Sequence, residues 1–289
     1  MDVLGELRAN VERHAKLGRI SPALPRLRCT LGTRTSEPTS ATEESWFGLV
    51  VQGAKRTVLG SRAFEYGAGD FLVASVKAPV TRHVVRAPCL VVGLKLEPAI
   101  VASLLLKETG RRPAHAPPFA IAGSKAPVEL LDAFRRYVRL LDAPEDIPVL
   151  GDAVEREILW RVMQSPHGAA MRDVGLADSH LTRISRAIEV LQRRLAEPLQ
   201  VAELARAAHM STATFNRHFR RVTAMSPLQF QKRLRLQEAR ARLLARAGDV
   251  ASVCFAVGYQ SPSQFSREYR RQFGLPPGEE AARVRNGVR

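Results

Sequence analysis

Residues 211–227 read STATFNRHFRRVTAMSP, and residues 261–277 read SPSQFSREYRRQFGLPP. The second stretch repeats the first at an interval of 50 residues. Phe215 and Phe219 recur as Phe265 and Tyr269, a spacing that puts each pair on one face of a helix. Arg217, Arg220 and Arg221 recur as Arg267, Arg270 and Arg271. Ser211 recurs as Ser261, Met225 as Leu275, and Pro227 as Pro277. The pattern describes one helix-turn-helix used twice. Two basic helices on one framework can enter neighbouring windows of a major groove, so sequence-specific binding of double-stranded DNA is the first expectation.

Working outward, Val201, Leu204, Ala205 and Ala208 form the apolar face of a supporting helix, and His209-Met210-Ser211 forms the turn. Ser211 caps the recognition helix, and Phe215, Phe219 and Val222 anchor it. Subtracting that face leaves Thr212, Ala213, Asn216, Arg217 and Arg220 pointing outward. The same subtraction in the second unit leaves Ser263, Gln264, Ser266, Arg267 and Arg270. Asn pairs bidentately with adenine and Arg with guanine, which suits base readout. Arg221 and Arg271 lie toward the helix ends, where phosphate contact is the better expectation. The periodicity predicts helices at 180–195, 201–208, 212–223, 227–247, 250–257 and 262–273. Ser226-Pro227-Leu228-Gln229 has the form of a capping box, Gly248 ends the long helix, and Asp249 caps the next.

The formal net charge is +16. Residues 1–177 hold 24 Lys/Arg against 19 Asp/Glu, while residues 178–289 hold 20 against 9. The excess therefore gathers on the duplicated segment, as a phosphate-binding surface requires. A merely solubilising face would not repeat its arginines in register. The cysteines, Cys29, Cys89 and Cys254, fit neither a disulfide framework nor a zinc site, which suits a reducing cytoplasm. The charged N-terminus lacks an apolar signal-peptide core, and the apolar runs are too short to span a membrane. Cytoplasmic location without membrane association is expected.

The preceding half changes character. After a short amphipathic helix at 3–17, short apolar runs separated by Gly, Pro and Asp turns fill about 26–97 and suggest a small barrel or jelly roll. Helical spacing returns from Pro98, with a Pro- and Gly-rich loop at 107–126. Leu131, Phe134 and Val138 line one later helix, and Ile158 and Val162 another; these faces suggest a homodimer interface. Pro166, Gly168 and Gly175 suggest a flexible stretch over 165–178.

The stretch 251–277, ASVCFAVGYQSPSQFSREYRRQFGLPP, resembles the AraC/XylS transcriptional regulators through Ala256, Gly258, Tyr259, Ser261, Phe265, Ser266, Arg267, Phe273, Gly274 and Pro277. The resemblance implies two helix-turn-helix subdomains joined by a long helix, reading successive major-groove turns. Ala224 departs from the pattern, because Gly274 holds the equivalent position. If both adopt the left-handed cap, Ala224 costs about 0.5–1 kcal/mol. The motifs Gln52-Gly53-x-Lys55-Arg56, Tyr66-x-Ala68-Gly69-Asp70-Phe71 and Leu94-x-Leu96-Glu97-Pro98 are similar to a sensor domain of one branch of that family. This implies a cupin-like barrel able to take a small organic effector.

The expected architecture is α+β in two domains. Residues 1–170 form a cupin-like sensor and dimerisation domain, with the barrel at about 26–97 and flanking helices at about 98–164. Residues 171–178 form a linker, and residues 179–289 form an all-α double helix-turn-helix domain. Trp46, Phe47, Phe64 and Phe71 are the candidate effector-binding residues, the effector being mainly apolar. The expected partners are double-stranded DNA, the effector, a second copy of the chain and RNA polymerase. His83 is the barrel's lone histidine, and the sequence shows no catalytic grouping or phosphate loop, so no enzyme activity, metal or cofactor is expected. The alternatives are a cupin enzyme fused to a DNA-binding module, and an architectural DNA binder without an effector.

Overall fold

The computed structural model describes residues 2–15, 22–43, 45–108, 121–166, 168–176, 179–245 and 248–285. The chain separates into two compact units, Met1–Thr39 with Glu43–Arg183, and Ile184–Arg289 with Ser40–Thr42.

In the first unit, helix α1 (Val3–His14) is capped by Asp2, which accepts a hydrogen bond from the Gly5 amide at 2.6 Å. Then come β1 (Leu27–Gly32), β2 (Thr39–Glu43), β3 (Trp46–Leu59), β4 (Arg62–Gly67), β5 (Asp70–Ala74), β6 (Ala78–Lys95), α2 (Pro98–Leu105) and β7 (Ile121–Lys125). The strands form one sheet in the order β1-β6-β3-β5-β7, with β2 on β6 and β4 on β3. The β3–β6 register shifts between Val50 and Lys55, around Gly53 at φ 75°. A Cβ on Gly53 would lie 2.4 Å from the carbonyl oxygens of Arg86 and Pro88, so the bend needs glycine there.

Among the described residues no pairing joins β1 to β7, so the barrel expected at about 26–97 is an open antiparallel sheet. Alternating apolar residues are common to open and closed sheets, whereas closure depends on which edges meet. The sheet also recruits β7 from the end of the expected loop at 107–126. Gly123 allows that approach, since a Cβ there would meet the Phe71 carbonyl at 2.4 Å.

The core lies between one sheet face and the helices α1, α3 (Val128–Arg139) and α4 (Ile147–Met163). Phe47 stacks on Phe134 of α3 at 5.4 Å and meets Phe71 at 5.5 Å. Phe134, Val138, Ile158 and Val162 are fully buried and Leu131 is half-buried. The faces expected to form a dimer interface are therefore consumed inside the unit. Amphipathic spacing identifies a buried face but not what covers it.

The linker expected at 171–178 is also corrected. Helix α5 (Gly168–Gly175) occupies most of it, and the division between units falls after Arg183. Gly175 serves close packing, because a Cβ there would lie 2.7 Å from the Ala102 amide nitrogen of α2. Arg172 of α5 pairs with Glu108 at 2.7 Å, with both side chains nearly buried. Residues 177 and 178, the end of the expected linker, lie outside the described residues.

The second unit takes most of α6 (His180–Arg193), then α7 (Val201–Ala207), α8 (Thr212–Thr223), α9 (Pro227–Leu244), α10 (Val250–Ala256), α11 (Pro262–Phe273) and α12 (Pro277–Arg285). The first six match the sequence expectation closely. Helix α12 lies beyond the expected helices, although Pro277 repeats Pro227, which opens α9. Proline is tolerated in the first turn, and Glu279 and Glu280 complement the helix N-terminus.

Candidate nucleic-acid interface

Each recognition helix is built by local capping and an aromatic anchor. Ser211 Oγ accepts from the Thr214 amide, and Ser261 Oγ from the Gln264 amide, both at 3.3 Å. Under α8, Phe215 meets Phe219 at 5.3 Å, and Phe219 meets Phe230 of α9 edge-on at 5.3 Å. Under α11, Tyr259, Phe265, Tyr269 and Phe273 form a chain of ring contacts between 4.6 and 5.5 Å. Both helices end in left-handed residues, Ala224 at φ 57° and Gly274 at φ 84°. Their amides donate to the Arg220 and Arg270 carbonyls at 2.8 Å.

The two units differ beneath the surface. Tyr269 replaces Phe219, and its buried hydroxyl donates to Glu280 of α12. Arg240 of α9 holds the same carboxylate at 2.6 Å. Helix α12 stands to the second repeat as α9 does to the first, and Glu280 takes the place of Phe230 because a buried hydroxyl needs a partner. Glu268, at the place of His218, receives bonds from Lys232 and the Tyr259 hydroxyl at 2.8 Å and from Gln264 at 3.1 Å. Burial opposes its ionisation, but these bonds outweigh burial and hold the carboxyl below its ordinary range.

Thr212, Ala213, Arg217, Arg220, Arg221, Ser263, Arg267, Arg270 and Arg271 are exposed; Asn216, Gln264 and Ser266 are half-buried. Gln264 turns its amide inward to Glu268, a role that helical phase alone did not reveal. Among the described residues no ion pair or side-chain hydrogen bond engages the guanidinium of Arg217, Arg220, Arg221, Arg267, Arg270 or Arg271. By contrast Arg194, Arg235, Arg240, Arg242 and Arg283 are all engaged. Arg193, Arg206 and Arg233 of the same unit likewise have no such partner among the described residues, so what marks the repeated positions is their matched, exposed placement on two helices. An open depression of about 570 Å³ runs along Ser266, Arg267, Arg270, Arg271, Gly274 and Pro276.

The candidate effector residues do not converge. Phe47 and Phe71 are fully buried against α3. Trp46 lies on the opposite sheet face, over the paired Gly48 and Gly93, where a Cβ on either would come within 2.5 Å of the indole. Its Nε1 is buried without a hydrogen-bond partner among the described residues. Phe64 is half-buried on β4. Among the described residues, no three His, Cys, Asp or Glu side chains gather as a metal-binding group.

Residues 204–283, which include both recognition helices, match a helix-turn-helix domain family. A putative AraC-like transcription regulator of Streptomyces lividans is 32% identical over 116 residues, 40% of this chain and 37% of that protein. The RCS-specific HTH-type transcriptional activator RclR of Escherichia coli (strain K12) is 39% identical over 99 residues, 33% of this chain and 35% of that protein. The matches span little more than a third of these curated relatives. Wild-type ToxT from Vibrio cholerae strain SCE256, solved with an unsaturated fatty acid bound, superposes with a TM-score of 0.56 over 89% of this chain and 93% of that one. At 9% identity this likeness concerns the fold alone. Residues 23–170, just over half of the chain, match the family described as AraC-type transcriptional regulator N-terminus, and the chain belongs to the AraC-type transcriptional regulators.

Proposed function

We propose that this protein regulates transcription in the cytoplasm by binding specific duplex DNA through α8 and α11. The observation that carries the reading is the set of six exposed arginines, unengaged among the described residues, at matched positions of two recognition helices. Side chains recruited for solubility alone would have no reason to recur in register on two helices. Asn216, Arg217, Ser266 and Arg267 are assigned to base edges, and Arg221 and Arg271 to phosphates. Thr212, Ala213, Arg220, Ser263 and Arg270 complete the surface. RNA polymerase is the further partner of such a regulator.

The first unit takes a small organic effector. Trp46 supports this role, since its buried Nε1 offers a donor with no acceptor among the described residues. Phe47 and Phe71 serve the helix-facing core instead. Binding alters DNA affinity only if the effector has unequal affinity for two states of the protein.

The test is selection of binding sites by the full chain from a randomised duplex library. Two short sequence blocks about one helical turn apart are expected. Strongly salt-dependent binding without sequence preference would favour an architectural binder and refute the reading.

A further inference from the structure

Arg235 stands near the middle of α9 and faces inward. Its Nε donates to the Leu195 carbonyl at 2.8 Å, and its Nη2 to the Glu197 carbonyl at 2.6 Å. Its Nη1 donates to the Gly258 carbonyl at 2.8 Å. The first two acceptors lie in the elbow after α6, just before the first helix-turn-helix begins. The third is in the turn of the second helix-turn-helix. One planar group therefore bridges two segments about 60 residues apart in the chain.

The surroundings reinforce the bridge. Gln231, one helical turn earlier, donates to the same Leu195 and Glu197 carbonyls at 3.2 and 2.9 Å. Gly258 adopts φ 90°, and a Cβ there would lie 2.2 Å from the Ala196 carbonyl oxygen, so elbow and turn touch backbone to backbone. On the elbow's other side, Arg194 binds Glu197 and also Glu203 of α7, each at 2.6 Å. A continuous polar chain thus runs from the supporting helix of the first unit to the turn of the second.

We infer that Arg235 is a positioning residue that sets the phase between the two recognition helices, and so makes the two DNA blocks bind as one site. The apolar side of α9, with Leu236, Ala239 and Leu243, already seats α10 and α11. Lys232 and Arg240 of α9 add polar ties to Glu268 of α11 and Glu280 of α12, but these run from α9 to the second helix-turn-helix and do not include the elbow. The guanidinium of Arg235 supplies the tie between elbow and second turn through three fixed donors. Lysine can place one charge there but cannot reach all three carbonyls in one plane.

The inference rests on the DNA-binding reading, and the experiment separates the two. Full-length wild type, Arg235→Lys, Arg235→Met and Arg194→Met are titrated against three duplexes. These carry both selected blocks in phase, both blocks with about half a turn inserted, or one block with the other randomised. For both Arg235 variants the in-phase affinity should fall about tenfold, within the usual range of coupling between sites. Single-block affinity should stay unchanged, and the penalty for the half-turn insertion should shrink. Arg194→Met, at the exposed end of the chain of contacts, should show the same pattern more weakly and melt like wild type. An equal loss on single-block and two-block duplexes would mean general destabilisation and overturn the inference. If Arg235→Met fails to fold, Arg235→Lys and Arg194→Met decide, and wild-type phase dependence in both overturns it. A wild-type protein without a two-block preference would overturn the DNA-binding reading itself and this inference with it.

Discussion

Ala224 and Gly274 occupy equivalent places in the repeat, and both end their helices in the left-handed region. Each amide makes the same 2.8 Å bond to the carbonyl four residues back. For an L residue this conformation costs about 1–2 kcal/mol. Replacing Ala224 with Gly removes that strain but gives the unfolded chain more freedom, which costs about 0.4–1 kcal/mol. The balance predicts that Ala224→Gly stabilises the second unit by about 0.5–1 kcal/mol. The reciprocal change is a cleaner probe, because nothing lies within 4 Å of a Cβ added to Gly274. Gly274→Ala should lose a similar amount through backbone strain alone. Urea titration and thermal melting of the full chain, followed through the transition of the second unit, provide the measurement. The midpoints should move in opposite directions by about 2–8 °C, given the usual shift for a domain near 100 residues. A lower midpoint for Ala224→Gly would refute the reasoning, since packing of the Ala224 methyl would then outweigh the strain.

Arg217→Ala and Arg267→Ala should each relax specificity within one block, at a cost of about 1–3 kcal/mol, in binding profiles over a randomised library. Arg221→Ala should weaken all sequences alike and lower the salt slope by about one unit. The carboxyl of Glu268 is held below its ordinary range in the folded state, so its contribution to stability is full above the unfolded pKa and lost as pH falls through the folded value. Glu268→Gln should therefore flatten the acid limb of the stability profile, and an unchanged limb in denaturant titrations would count against the assignment. Burial pushes the Cys29 thiol up to about 12, so it should resist a thiol reagent at neutral pH until the protein unfolds. Rapid labelling of native protein at Cys29 would contradict its placement.

The effector residues and the dimer faces show where sequence reading loses power. Phe47 and Trp46 are neighbours and look equally able to line a pocket. Strand alternation sends them to opposite faces, and Phe134, 87 residues away, makes one of those faces the core. Val138 and Ile158 announce buried faces by their spacing, but the partner that buries them is elsewhere in the same unit. Gly168 and Gly175 look like interruptions, yet they bound a helix, and Gly175 marks a close approach to α2. Composition records a glycine but not whether it serves bending or contact.

The sequence by itself determined the duplicated helix-turn-helix, its caps, its aromatic anchors and its outward arginines. Those features arise from interactions over three or four residues along one helix, so periodicity encodes them directly. Only the tertiary structure decided the open sheet, the route of β7, the helix in the expected linker and the pairing of Tyr269 with Glu280 of α12. It also decided that Gln264 turns inward and that Arg235 spans from the elbow to the second turn. Each of these depends on which distant backbone or side-chain groups meet, and a local pattern of apolar and polar residues carries no record of that partner.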